Sequence, residues 1–328
     1  MVTVHDVAAR AGVSIATVSR SLREPDRVID ETRDRVLAAV AELGYRPNRA
    51  ARSLRHGRTG AIALVVPDIE NPYFASLTKG AQATSRAHGY SLVVVDTTES
   101  AEVEDEEIGA LRSQVDGLIL ASSRLTEHEL ARVAAETTSV LINRRLPGAQ
   151  APTVTLDEAP GVRAALEHLR ALGHRRVLYV GGPDASWTEE RRWTALRDAA
   201  AADGGMTALR VGPVSPDAAG GRAVAEEALA LDATAVIAYN DLVALGLLAR
   251  WSELGVRVPE DVSLIGFDNT FVAQLASPPL TSVGADLRGF GEAAVLSLLA
   301  RIDRRDIPAV STATALTVRG STAPPRPR

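Results

Sequence analysis

Residues 2–22 read VTVHDVAARAGVSIATVSRSL, and the position of one glycine in them decides how the chain begins. Val4, Val7, Ala8 and Ala11 recur at helical spacing, so VHDVAARA reads as a short amphipathic helix with Thr3 as its N-cap and Asp6 near its positive end. Gly12 supplies the left-handed conformation that ends a helix, and Val13 turns inward after it. Ser14 caps a second helix on which Ile15, Val18 and Leu22 share one side. A third helix, capped at Asp30 and stopped at Gly44, presents Val36, Leu37, Val40 and Leu43 inward. Three short helices with a tight turn between the first two describe a helix-turn-helix, whose second helix enters a major groove by its first turn. On this reading Ser14, Thr17 and Ser19 lie at phosphate distance and Arg20 forks onto a guanine edge. A three-helix packing module that touches no DNA is the alternative at this point.

Charge favours the first of these. The 328-residue chain has a net charge of -5, unevenly placed. Residues 1–60 hold eleven Arg against seven Asp or Glu, about +4, and the remainder stands at -9. A cationic head on an anionic body fits a polyanionic partner. The head ends in YRPNRAARSLRHGR (residues 45–58), where Asn48, Ala51 and Leu54 fall on one helical side. A leucine outward among arginines has no core to fill. It can wedge between base steps in a minor groove while Arg52 and Arg55 meet phosphates.

The rest of the chain alternates. Apolar runs AIALVVP, YSLVVVD, GLILAS and SVLIN are separated by helical stretches near 74–88, 101–113 and 126–135. RVLYVGG, AVIAY and SLIGFD then alternate with helices near 160–172, 187–202, 217–230 and 241–254. Continuous Val/Ile/Leu strands between helices predict parallel sheets covered on both faces, hence two α/β lobes with a ligand cleft at the carboxyl ends of the strands. Polar residues gather at those ends: Asp68, Asn71 and Tyr73, then Asp96, Ser122, Asn143 and Arg144, then Asn240, Asp241 and Asp268. Ser122 and Asp241 read as helix caps, the others as the lining of a shared polar cleft.

Several chemistries are excluded. There is no cysteine, so disulfides and thiolate metal sites are ruled out. His168 and His174 read as helix-end residues with no second ligand spaced for a metal. VGGPDASW has neither a G-x-G-x-x-G pattern nor a following lysine, and no nucleophile stands beside a base. No enzyme, cofactor or metal is expected. MVTVHDVAARAG lacks the basic-then-apolar pattern of an export signal, and the apolar runs are too short to span a bilayer. A cytoplasmic protein without membrane contact is the expectation.

TVHDVAARAGVSIATVSR joined to GYRPNRAARSL, followed in order by VPEDVSLIGFDN, SPPLTSV and VRGSTAP, resembles the LacI/GalR family of transcriptional repressors along most of the chain. The resemblance implies a small all-α helix-turn-helix head with a hinge helix, followed by a two-lobed, periplasmic-binding-protein-like α/β body with parallel sheets. The domains it implies are residues 1–46 for the helix-turn-helix, 47–59 for the hinge helix and linker, and 60–328 for effector binding and dimerisation. Within the body the first lobe takes about 60–156 and 286–314, the second about 157–285 and 315–323.

DNA contacts are implied at Thr3, His5, Ser14, Ile15, Ala16, Thr17, Ser19 and Arg20 in the head, and at Asn48, Ala51, Leu54 and Arg55 in the hinge. Effector contacts are implied at Asn71, Tyr73, Phe74, Asp96, Arg144, Asp157, Trp187, Arg192, Asn240 and Asp268. The alternative for Arg192 is an ion pair with Glu189 or Glu190. The family's aromatic beside the effector is replaced here by Val214, with Trp187 as the candidate substitute. The implied partners are a near-palindromic double-stranded operator DNA, a second copy of the chain, and a small-molecule effector, a saccharide acting as inducer. A corepressor-type regulator responding to a non-sugar metabolite, and a two-lobed binding protein without DNA function, are the alternatives.

Leu54→Ala is expected to abolish specific operator binding while leaving effector binding and dimerisation unchanged. Loss of the wedge forfeits the kink and its contacts, worth roughly a few kcal/mol. Operator affinity at the wild-type level in a gel-shift titration would remove the hinge from the account.

Overall fold

The computed structural model describes every residue except 1, 24, 46–57, 147, 149, 150, 204, 306, 307, 327 and 328. The chain divides into two units, Met1–Thr59 and Gly60–Arg328. In the first, α1 (Val4–Ala11) opens with a capping box: the Asp6 carboxylate accepts from the Thr3 N–H at 2.7 Å, and Thr3 Oγ1 accepts from the Asp6 N–H at 3.4 Å. Gly12, at φ 65°, ends α1 with a left-handed cap. Ser14 Oγ then accepts from the Thr17 N–H at 3.1 Å and starts α2 (Ile15–Arg23). A single 3-10 turn, Pro25–Arg27, leads to α3 (Asp30–Leu43) and its left-handed stop at Gly44. Val7, Ala8, Ala11, Val18, Val36 and Ala39 are the buried centre of the three helices.

Two expectations in this unit are corrected. Ile29 occupies the cap position of α3 without any side-chain bond, and Asp30 is already helical, its carboxylate 2.8 Å from Arg33. Leu37 is 45% exposed. The inner face of α3 runs Val36, Ala39, Val40, Leu43, so Leu37 sits about 100° of helix rotation away from it. The hinge positions Asn48, Ala51, Leu54 and Arg55 lie outside the described residues.

The second unit holds two six-stranded sheets. The first is built from β1 (Ala61–Val66), β2 (Ser91–Asp96), β3 (Leu118–Ala121), β4 (Ser139–Ile142) and β5 (Thr153–Asp157), with α4 (Pro72–Ala87), α5 (Ala101–Leu111) and α6 (Glu127–Glu136) between strands. The second is built from β6 (Arg176–Val180), β7 (Thr207–Val211), β8 (Ala235–Ala238), β9 (Ser263–Asp268) and β10 (Thr281–Gly284). Its helices are α7 (Ala159–Ala171), α8 (Trp187–Asp203), α9 (Ala218–Ala230), α10 (Asp241–Glu253) and the short α11 (Phe271–Leu275). The chain then returns to the first sheet as α12 (Leu287–Ile302) and β11 (Val310–Ala313), and to the second as β12 (Ala315–Thr317). The strand orders are β2-β1-β3-β4-β5-β11 and β7-β6-β8-β9-β10-β12, all parallel except the β10–β12 pair.

The alternation of the strands splits each sheet between two cores. Ile62, Leu64 and Val66 face one side with α4 and α12, while Ala63 and Val65 face the other. Leu178 and Val180 likewise face away from Val177 and Tyr179. Strands β5, β7, β10, β11 and β12 did not stand out in the sequence, because they are short and interrupted by Thr, Ser, Arg or Gly rather than continuous apolar runs.

Helices α4 and α12 touch backbone to backbone. A Cβ on Gly291 would fall on the Leu77 carbonyl oxygen, and one on Gly80 on the carbonyl of Arg288. Gly109 in α5 has open space around it. Gly291→Ala is therefore expected to destabilise the body by about 1–3 kcal/mol or more through forced separation of the helices. Gly109→Ala should stabilise it by about 0.5–1 kcal/mol. Urea melts of the two variants giving shifts of the same sign would contradict this packing.

Candidate functional site

A cavity opens where the strands of both sheets end. The first sheet supplies its side of the lining from the segments after β1, β2, β3 and β4. After β1, Asn71 Oδ1 caps α4 through the Tyr73 N–H at 3.0 Å, with Pro72 fixing the first helical position, so Tyr73 and Phe74 emerge at the mouth. After β4, Asn143 donates to the Tyr73 hydroxyl at 2.8 Å and accepts from the Leu156 N–H at 3.0 Å. Burial pushes the Tyr73 phenol far up, so it stays protonated and keeps a proton to donate. Glu99 after β2 and Arg124 after β3 form a two-point fork, 2.6 and 3.1 Å, and Arg124 Nη1 also donates to the Ser122 carbonyl at 2.7 Å. Glu104 of α5 sits behind them, buried, accepting from the Arg124 N–H at 2.8 Å.

The second sheet supplies a buried cation. Arg192, in the second turn of α8, is 4% exposed. Its Nε donates to Glu158 at 3.0 Å, Nη1 to the Tyr239 carbonyl at 2.6 Å and Nη2 to Asp268 at 3.2 Å, with its carbon 3.8 Å from the centre of the Phe267 ring. Burial works against its charge, but the carboxylates of Glu158 and Asp268 more than offset that, so its pKa is raised. Burial raises Glu158 to about 7 against the pull of Arg192. Tyr239, Asn240, Pro216 and Thr188 complete this side.

Six of the effector residues expected from sequence meet here: Asn71, Tyr73, Phe74, Arg192, Asn240 and Asp268. Asn240 serves first as the cap of α10, accepting from the Val243 N–H at 2.8 Å and donating to the Pro216 carbonyl at 2.7 Å. Four others do not line the cavity. Asp96 ties its own loop to the one after β1, accepting from the Thr98 and Ile69 N–H groups. Arg144 donates to the Leu125 carbonyl at 3.2 Å, and Asp157 accepts from the Ala159 N–H at 3.3 Å while its carbonyl accepts from Thr314. Trp187 lies on another side of α8 with Arg191 stacked 4.6 Å above it, so it does not replace the aromatic at Val214; Tyr73, Phe74 and Tyr239 are the aromatic residues that line the cavity.

Other assignments also change. Arg192 pairs with Glu158 and Asp268, not with Glu189 or Glu190; Glu189 instead accepts from Tyr179 Oη and the Gly182 N–H, both at 2.7 Å. Ser122 is a lining residue, since Thr126 caps α6. Asp241 is held by Thr270 and Ser282 and ties α10 to β10. His174 is a buried clamp on residue 323, and His168 bonds Thr322, so both secure the last segment of the chain.

Glu99, Arg124, Asn143, Thr188, Pro216 and Tyr239 were not expected as ligand residues, although Asn143 was placed at the cleft end of its strand. Two signals existed in the sequence. The glycines of VGGP leave room for the Tyr239 ring, on which a Cβ at Gly182 would fall. Arg124 is a cation three residues past a buried strand end, a place where water is scarce. In the structure, Glu99, Ser122, Asn143 and Asp268 all have positive φ, four of the eight such non-glycine residues described, and such backbone concentrates at functional sites.

In the head, α2 presents Ala16 and Arg20 exposed, with Ile15, Thr17 and Ser19 half-buried beside them. Ser14 is exposed, as are Thr3 and His5 at the start of α1. Thr3 and Ser14 are engaged as caps, which fixes their hydroxyls at the two helix starts. Among the described residues, no helix is long and apolar enough to cross a membrane, and no group of His, Asp or Glu could hold a metal ion.

Residues 3–48 match the family model of bacterial regulatory proteins, lacI family, and residues 166–322 that of the periplasmic binding protein-like domain. The chain is 32% identical over 336 residues to the HTH-type transcriptional repressor CytR of Escherichia coli strain K12, covering 98% of this chain and 96% of that protein. A solved structure of the lac repressor dimer bound to operator and the anti-inducer ONPF is similar with a TM-score of 0.85 and 28% identity, over 98% of this chain and 99% of that one. The complex of the transcriptional regulator CelR with cellobiose is similar with a TM-score of 0.71 and 32% identity, over 98% and 100%.

The buried carboxyl of Glu158 makes stability depend on pH. Its folded pKa of about 7 lies above the ordinary 4.5, so the folded state holds the proton longer than the unfolded chain. Its favourable contribution is full below pH 4.5 and is lost as pH rises through about 7. Between pH 5 and 8, Glu158→Gln should gain stability relative to the wild type by ~2–3 kcal/mol. Parallel pH profiles from denaturant melts would show that Glu158 is fully ionised throughout.

Proposed function

The chain belongs to the lacI family of bacterial regulatory proteins, and from that premise we propose that it is a cytoplasmic, homodimeric repressor released from its operator by a small saccharide. The observation that carries this reading is the pairing, in one chain, of a helix-turn-helix head with a polar cavity formed where two parallel sheets end. The cavity mixes hydroxyl, amide and paired charged groups with the Phe74 and Tyr239 rings, a lining suited to alternating hydroxyl and C–H faces. The cellobiose bound to the relative CelR supports the ligand class.

DNA reading falls to α2 and the hinge. Ile15 and Ala16 carry no hydrogen-bonding side chain, so they discriminate by contact with thymine methyls or by exclusion, and Arg20 supplies the donor fork for guanine. Two heads in a dimer read two half-sites. The effector changes operator affinity only through its unequal affinity for two arrangements of the body, and operator changes effector affinity by the same factor. Arg192 holds the cavity wall together, with its donors on Glu158, the Tyr239 carbonyl and Asp268, and a ligand hydroxyl engages it by sharing one of these contacts.

Arg192→Ala is expected to leave operator binding intact without effector and to abolish the response to it. A lost charged donor costs about 2–5 kcal/mol of ligand binding, a weakening of ~30-fold or more. The assay is a DNA-binding titration with and without the sugar that releases the wild type. A variant that responds at wild-type sugar concentrations would place Arg192 outside the ligand contacts, and a sugar that tightens wild-type binding would make the effector a corepressor.

A further inference from the structure

The charged groups that line the cavity are matched one against another. On the first sheet's side, Glu99 takes both free edges of the Arg124 fork, at 2.6 and 3.1 Å, and the Ser122 carbonyl takes the remaining direction. Arg124 is 8% exposed and the Glu99 side chain 27%, so the cation is out of water and its carboxylate partner half-buried at the mouth. On the second sheet's side, Arg192 is divided between Asp268 and Glu158, which leaves no cation in excess. The remaining polar groups are neutral: the Tyr73 hydroxyl, held protonated by burial, the Asn71 amide, Ser122 and Thr188.

We propose that this cavity takes an uncharged polyhydroxylated ligand and rejects its phosphorylated counterpart, with the Glu99–Arg124 fork as the residue pair that sets that choice. The inference rests on the saccharide reading above and narrows it. A sugar hydroxyl both donates and accepts, so it can bridge a carboxylate and a guanidinium that already face each other and strengthen both contacts without changing the net charge. A phosphate monoester brings about two negative charges. To neutralise it, Arg124 would have to leave Glu99, whose half-buried carboxylate would lose its ion-pair partner and face the phosphate as a like charge at short range.

The test is calorimetric titration of the full chain with D-ribose, D-xylose, D-glucose and D-galactose, each beside its terminal phosphate ester. At least one free sugar is expected to bind, and its phosphate to bind about 100-fold more weakly or less. Glu99→Gln keeps the shape of the fork and frees the charge of Arg124. It should narrow that gap by about 10-fold or more, through a gain on the phosphate, with the melting temperature recorded beside it as a check on folding. A wild type that prefers a phosphorylated sugar, or a gap that Glu99→Gln does not move, overturns the inference and leaves effector-controlled repression standing. Absence of binding by all eight compounds overturns the saccharide reading itself, and the inference with it.

Discussion

A guanidinium buried among two carboxylates is the constraint around which the ligand-binding body is arranged. Arg192 reaches Glu158, which directly follows the last residue of β5, where the chain leaves the first sheet for the second. It also reaches Asp268 at the end of β9 and the carbonyl that ends the β8 segment. One side chain therefore fixes the first crossover and two strand ends of the second sheet at once. Its charge is not available to anything else until one of those partners moves. Any ligand that engages Arg192 or Asp268 acts on the crossover through Glu158, a path of two ion pairs between ligand and the connection of the lobes.

The crossovers themselves are tied together. Thr314, between β11 and β12, donates its hydroxyl to the Asp157 carbonyl at 2.9 Å and accepts from the Gly161 N–H at 3.2 Å. A Cβ at Gly161 would fall on Thr314 and Val283, so the start of α7, the end of β10 and the third crossover are in direct contact. Rotation of one lobe against the other has to pass through this small group of backbone torsions, as in other hinge-type closures.

Much of this was legible in the sequence, and the reason is periodicity. The 3.6-residue pattern of VHDVAARA and IATVSRSL, and the continuous apolar runs that became β1, β2, β3, β4, β6, β8 and β9, are local signals that burial alone imposes. Leu37 shows the limit of the method: one residue out of phase, it looked internal by type and was external by angle. The site was legible where a polar residue type stands close after a strand end, as with Asn71 and Asp268, while Arg192 was indicated only by the family resemblance. It was not legible where role depends on a partner distant in sequence. Nothing near Arg124 announces Glu99, 25 residues earlier, and nothing near Arg192 announces Glu158 rather than the adjacent Glu189. Trp187 failed for the complementary reason, since α8 turns it outward while Tyr239 comes forward from another strand.

The late return of α12 to the first sheet has a consequence for synthesis. Ile119, Val140 and Val154 lie in the core that Phe290, Val295 and Leu298 of α12 complete, yet Leu287 follows Asp157 by 130 residues. At a translation speed of ~5–20 residues per second, that face of the first sheet waits about 7–26 s for its cover. During that interval the nascent chain carries five of the sheet's six strands with one oily side covered only in part by α4, the kind of surface to which chaperones bind. The discontinuous lobe thus links the time needed to become a working repressor to ribosome speed, and codon choice between residues 157 and 287 becomes a variable in the yield of folded protein.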